Sequence, residues 1–174
     1  MVLYRRDRTP GATYFFTVTL RDRNARVLVD HVDYLRHAFA LTRRERPFRV
    51  DAIVVLPDHL HAVWTLPSGD DDFSSRWRAI KGRFTRVVSG LGVAVHRNAR
   101  GEFDLWQSRY WEHRIRDDED LQRHVDYCHF NPVKHGHVAR PEQWPYSSFH
   151  RYVREGVIDP SWAVAPEGEF GGER

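Results

Sequence analysis

His59 and His61 stand one residue apart in the stretch VVLPDHLHAVWTLP. In an extended strand, alternate side chains share a face. Two imidazoles on one face can chelate one metal ion, while Leu60 points the other way into a core. The pair directly follows the turn-forming dipeptide Pro57-Asp58, so it belongs at a strand end, where a substrate can reach it. The competing reading is a packed or surface histidine pair in a chain with eleven histidines. A second constellation is Tyr127 with Asn131, four residues on. On a helix, positions i and i+4 share a face, so a phenol oxygen and an amide oxygen converge. The alternative is that Tyr127 is core and Asn131 caps the helix before Pro132.

These side chains need elements to hold them. Thr13 to Leu20 (TYFFTVTL) is aromatic and β-branched and predicts a strand. Val29 to Arg44 spaces Val32, Leu35, Ala38, Phe39 and Thr42 as one helical face. Phe48 to Leu56 and His59 to Leu66 predict two strands joined as a hairpin through Pro57-Asp58. Ser74 to Val88 places Trp77, Ile80, Phe84, Val87 and Val88 on an apolar helical face. A short fourth strand ends near Ile115. Asp117 to Phe130 predicts a helix with acids in its first turn, where the dipole favours them. Asn131-Pro132 should end it, because a residue before proline disfavours helical geometry. The order strand, helix, strand, strand, helix, strand predicts an α+β, ferredoxin-like sandwich: an antiparallel sheet with helices on one face, plus an added C-terminal helix. One domain over 1–174 is expected, with a basic arm at 1–10 and an irregular tail at 144–174.

Composition narrows the partner. Net charge is only +3, yet the isoelectric point is near 9.2, and Lys81 and Lys134 are the only lysines. Arginine matches phosphate with paired hydrogen bonds and stacks on rings. Six tryptophans, seven tyrosines and ten phenylalanines add stacking surfaces, a combination that suits nucleic acid. A solvated, arginine-rich surface is the competing reading. Arg5, Arg6 and Arg8 form a basic arm, and Arg78, Lys81 and Arg86 lie among the basic residues (with Arg76 and Arg83) flanking the apolar face of their helix. These are the candidate phosphate contacts. The arm lacks the apolar run of a secretory signal. No stretch is apolar enough to span a membrane. One cysteine excludes an internal disulfide framework and fits a reducing cytoplasm.

The stretches VVLPDHLHAVWTLP, DDDFSSRWRAIKGRFT, YWEHRIRDDEDLQRHVDYCHFNPVKHGHV and WPYSSFHRYV, in that order, resemble the REP-associated tyrosine transposases. These are single-tyrosine transposases of the HUH superfamily, named for His-hydrophobic-His. The resemblance runs from about Tyr4 to Trp162. It implies that His59 and His61 hold a divalent ion, magnesium or manganese, that Tyr127 is the nucleophile, and that Asn131 is a further metal ligand. Related transposases commonly carry glutamine at that last position; asparagine keeps the amide oxygen and shortens its reach. The resemblance also implies single-stranded DNA with a hairpin, of the repetitive extragenic palindromic type, as substrate. Cutting would leave a 5′-phosphotyrosine and a free 3′ hydroxyl. A monomer with its tyrosine in cis, acting in the cytoplasm on the nucleoid, is the expected form. The rivals are a hairpin-binding protein without catalysis and a metal-dependent hydrolase of another phosphodiester. Asp58 and Glu112 are candidate acceptors that orient the ligand histidines; for Asp58 turn chemistry beside Pro57 is the preferred reading, and for Glu112 a surface ion pair is the competing one. His113 is a further candidate near the metal, whereas His129, two positions from Tyr127, should point elsewhere.

Overall fold

A computed structural model describes residues 8–168 and 170. The elements are β1 (Thr13–Thr19), α1 (Val27–Asp30), α2 (Val32–Glu45), β2 (Arg49–Val55), β3 (His59–Thr65), α3 (Phe73–Gly90), β4 (Trp111–Arg114), α4 (Asp118–Lys134), a 3₁₀ turn (Pro141–Gln143) and α5 (Phe149–Arg154). The four strands form one antiparallel sheet in the order β2-β3-β1-β4. This is the ferredoxin-like α+β arrangement that the element order predicts.

Helices cover both faces of the sheet. On one face, Trp64 of β3 stacks on Trp77 of α3 with ring centroids 4.1 Å apart. Phe16 of β1 and Phe39 of α2 close around that pair. The opposite face carries Phe15, Thr17, His59, His61 and Val54, and here α4 lies across the sheet. Covering both faces explains why β1 and β3 are buried at nearly every position rather than at alternate ones. Aromatic and aliphatic burial of this kind contributes roughly 25 cal/mol per Å² of apolar area.

The hairpin between β2 and β3 turns at Leu56, whose amide donates to the His59 carbonyl at 2.8 Å. Helix α3 begins where Asp72 accepts from the Ser75 amide at 3.0 Å, an N-cap. Helix α4 begins where Asp117 accepts from the Asp120 amide at 2.8 Å. Its end corrects the sequence expectation: α4 runs through Pro132 to Lys134. A proline inside a helix costs roughly 3 kcal/mol. Here it sits in the last turn, and Asn131, Pro132, Cys128 and Tyr127 are all buried against the sheet. Beyond it, the His135 amide donates to Asn131 at 3.0 Å and the His137 amide to Pro132 at 2.9 Å. Gly136, at φ +70°, makes the reversal there.

The 144–174 stretch is only partly irregular. Tyr146 to Ser148 runs along the free edge of β2, bridging Val54 to Ser147, with Val55 donating to Tyr146 and Ser148 to Ile53. Helix α5 follows. This segment therefore covers one sheet edge, which would otherwise offer unpaired backbone groups.

Candidate active site

The sheet's period of two puts His59 and His61 on the face covered by α4, and both are buried. Their rings are 5.0 Å apart between centroids, nearly perpendicular. Each ring has its Nδ1 engaged. The Asp58 carboxylate accepts from His59 Nδ1 at 2.8 Å, and Thr17 Oγ1 lies 2.9 Å from His61 Nδ1. A proton held on Nδ1 leaves the lone pair on Nε2. Both Nε2 atoms are buried, and His59 Nε2 has no hydrogen-bond partner among the described residues. The side-chain oxygen of Asn131 is buried as well.

Electrostatics keeps this donor set ready. Burial lowers His61 well below the ordinary histidine value, and the nearby His59, His135 and Lys134 add to the effect. Its imidazole is therefore neutral at neutral pH. Asp58 is opposed by burial, yet bonds from His59 and Arg23 bring it down to about 2. Arg23 Nε reaches Asp58 Oδ2 at 2.6 Å. Of the two sequence readings of Asp58, the preferred one, turn chemistry, is corrected in favour of the other: it orients a histidine of the pair. Two imidazoles, an amide oxygen and a carboxylate behind one ring suit a divalent ion of borderline hardness.

Helix α4 brings Tyr127 to this pair. Its ring centroid is 5.1 Å from that of His61. One turn later comes Asn131, and one turn later again His135, whose ring is 5.0 Å from His59. The stripe Tyr127–Asn131–His135 therefore runs along the histidine pair with both of its ends in ring contact. Lys134 Nζ donates to Tyr127 Oη at 3.0 Å and lies 4.8 Å from the ring centroid. Desolvation lowers the Lys134 ammonium from its usual value. Phe170 stacks on the tyrosine ring with centroids 4.0 Å apart.

Sequence reasoning missed His135 and Lys134. The i, i+4, i+8 spacing was a usable signal, but Pro132 argued that the helix had already ended. Two other expectations shift. Glu112 is buried and pairs in register with Phe16, so it lies on the face opposite His59 and His61 and cannot orient them. His113, on β4, points to Asp120 and His124 on α4. His129, as expected, turns away from the pair. Its Nε2 lies 3.0 Å from Ser148 Oγ.

The candidate phosphate contacts divide. Arg5 and Arg6 lie outside the described residues. The Arg8 side chain is half exposed and 3.9 Å from Asp71. Arg78 and Arg86 are exposed on α3. Lys81 donates to the Gln107 carbonyl at 3.1 Å, and the Gln107 amide donates to Thr19, whose register partner is His59. Lys81 thus stands at the strand end that carries the histidines, and Arg21 and Arg109 line the same groove with Gln107. Arg76 and Arg83 serve the fold instead. Arg76 is buried and binds Asp70 together with the carbonyls of Arg46, Pro47 and Asp72. Arg83 pairs with Glu45 and Thr42.

No protein-family profile matches the chain. A REP-associated tyrosine transposase of Escherichia coli K12 is 47% identical over 171 residues, covering 98% of this chain and 96% of its own. A Haemophilus influenzae protein of the same family description is 42% identical, covering 98% of both chains. A solved REP-associated tyrosine transposase bound to a REP hairpin superimposes with a TM-score of 0.89 at 46% identity, over 100% of this chain and 98% of that one. Near-complete coverage at this identity, on the same fold, decides the assignment: the chain belongs to the REP-associated tyrosine transposases.

Proposed function

We propose that the chain is a metal-dependent single-stranded DNA endonuclease and strand transferase that acts on palindromic hairpins. The observation that carries this reading is the 5.1 Å approach of Tyr127 to His61 within one polypeptide. A transposase relative solved bound to a REP hairpin supports the same substrate class here. Tyr127 is the nucleophile, and His59, His61 and Asn131 hold a magnesium or manganese ion. Manganese suits a site of two imidazoles better than magnesium does, because magnesium prefers oxygen ligands. When bound, the ion would neutralise charge on the scissile phosphate and orient it.

This chain's own groups supply the rest. Tyr127 Oη gives its proton to solvent and attacks phosphorus, the bond to the 3′ oxygen breaks, and that oxygen takes up a proton from solvent to leave as a free 3′ hydroxyl. The phosphate stays on Tyr127 at the 5′ side of the cut. Conserving a phosphodiester in this way lets a second strand end rejoin without ATP. Negative charge develops on the phenol oxygen as its proton departs, and the Lys134 ammonium 3.0 Å away favours that charge. Asp58 holds the His59 ring in the tautomer that puts its lone pair on Nε2, and Thr17 fixes the His61 ring through its contact with Nδ1. Lys81, Arg78, Arg86 and Arg8, with the Arg5-Arg6 arm, contact backbone phosphates. Because tyrosine and histidines meet within one chain, the enzyme works as a monomer. It acts in the cytoplasm on chromosomal hairpins.

His59→Ala and His61→Ala should abolish cleavage of a labelled hairpin substrate and leave hairpin binding within a few-fold. Cleavage should need added magnesium or manganese and stop in chelator. Full activity of either variant in metal-free buffer contradicts the assignment.

A further inference from the structure

We propose that His113, Asp120 and His124 form a second metal site, distinct from the His59–His61 pair, that takes one late first-row divalent ion such as zinc or cobalt. One ligand atom from each of the three lies within 4.8 Å of the others. His113 Nε2 is 2.9 Å from Asp120 Oδ2, and His124 Nδ1 is 3.3 Å from Asp120 Oδ1. Donors bonded at about 2.1 Å to one ion stand about 3.0 to 3.4 Å apart, between octahedral and tetrahedral angles. The His113–Asp120 and His124–Asp120 spacings already match, and the His113–Asp120 hydrogen bond lies where the ion would sit; His124 Nδ1 donates to the Asp120 carbonyl at 2.7 Å, a bond that the ion would replace.

The donor chemistry is that of a mixed nitrogen and oxygen site with one position left for water. Asp120 is opposed by burial, yet bonds from Arg116 and His113 hold its carboxyl below the usual carboxylate range, so it is an anion. Burial lowers His124 and keeps its ring neutral. The Asp120 and His124 side chains are 3% and 9% exposed and that of His113 is 30% exposed, so an ion arrives from one side. Arg116 competes for Asp120 Oδ2 through its backbone amide and its Nε, each at 3.1 Å, and only the side chain must yield to an ion. That side chain is 62% exposed and can swing into solvent when an ion replaces it.

The two sites are separate. His113 of β4 pairs in register with Phe15 of β1, and the Phe15 ring stacks against His61 at 5.5 Å. The Phe15 ring therefore divides them. An ion at the second site would tie edge strand β4 to the first turns of α4, one turn before Tyr127, and so hold the helix that carries the tyrosine.

Cobalt titration followed by visible absorption tests this without measuring cleavage. Wild type should bind two equivalents. The His59→Ala/His61→Ala double variant should keep one, displaceable by zinc. Adding His113→Ala to that background should weaken the remaining binding by at least about tenfold. Zinc should also raise the melting temperature of the double variant. A double variant that binds no cobalt, or binding that survives His113→Ala, overturns the second site. If the double variant does not fold, the single variant His113→Ala must lose one of two wild-type equivalents, and an unchanged stoichiometry overturns the proposal. A wild type that binds a single equivalent, kept in the double variant and lost on His113→Ala, would instead count against the proposed nuclease site.

Discussion

Asp58 sets the state of His59 from one residue away. Its carboxylate holds the Nδ1 proton, and Arg23 holds the carboxylate. Removing such a partner of a ligand histidine typically costs ten- to a hundredfold in metal affinity. Asp58→Asn is therefore expected to weaken manganese binding by that factor, measured by calorimetry, while His61 keeps its Thr17 contact. The same substitution has a pH signature. The folded pKa of Asp58 is about 2 against an ordinary 3.8. Its stabilisation is complete above about pH 4 and is lost as pH falls through 2. Wild type should lose more stability than Asp58→Asn across that window, in thermal melts at stepped pH; equal losses would show that the carboxylate gains nothing from its partners.

At the scale of elements, α4 organises the site, and its burial has a measurable consequence. Burial lowers His129 to about 3 and His135 to about 4, against an ordinary 6.5. The unfolded chain takes up protons at these residues below 6.5, while the folded chain refuses them until pH 4 to 3. Stability should therefore fall as pH drops from 6.5 towards 3, and His129→Gln should flatten that slope in denaturant unfolding at pH 7 and pH 5. Identical slopes would contradict a neutral, buried His129. Much of this architecture was legible in the sequence. The His59–His61 face follows from the two-residue strand period, and the Tyr127–Asn131 face from helical spacing. His135 was hidden by a local rule: Pro132 argues for a helix end, but burial of the last turn outweighs that penalty. The orienting role of Asp58 ranked second because an aspartate after proline serves a turn equally well. Arg76 was hidden because a buried arginine that satisfies three carbonyls has the same letter, and the same helical neighbours, as a solvated one.

At the scale of the whole molecule, charge and topology act together. The net charge of +3 is small, but Lys81, Arg21 and Arg109 gather near the strand end that carries His59. Phosphate contacts release counterions, so hairpin affinity should fall with salt at a log–log slope of about −0.7 for each single-strand contact. Lys81→Ala should reduce that slope by one contact, read by fluorescence anisotropy from low to high salt; a salt-independent affinity would remove the electrostatic account. Both the histidine pair and the tyrosine belong to one polypeptide, so a single chain should complete the cut. The most direct test is to incubate the protein with a labelled single-stranded hairpin and manganese, trap the covalent product, digest it and locate the nucleotide by mass spectrometry. The account predicts a 5′-phosphate-linked nucleotide on Tyr127 and neither cut nor adduct in Tyr127→Phe, which still folds and binds the hairpin with a stability change of about 1 kcal/mol. A nucleotide on any tyrosine other than Tyr127, or a Tyr127→Phe protein that still cuts, would contradict it.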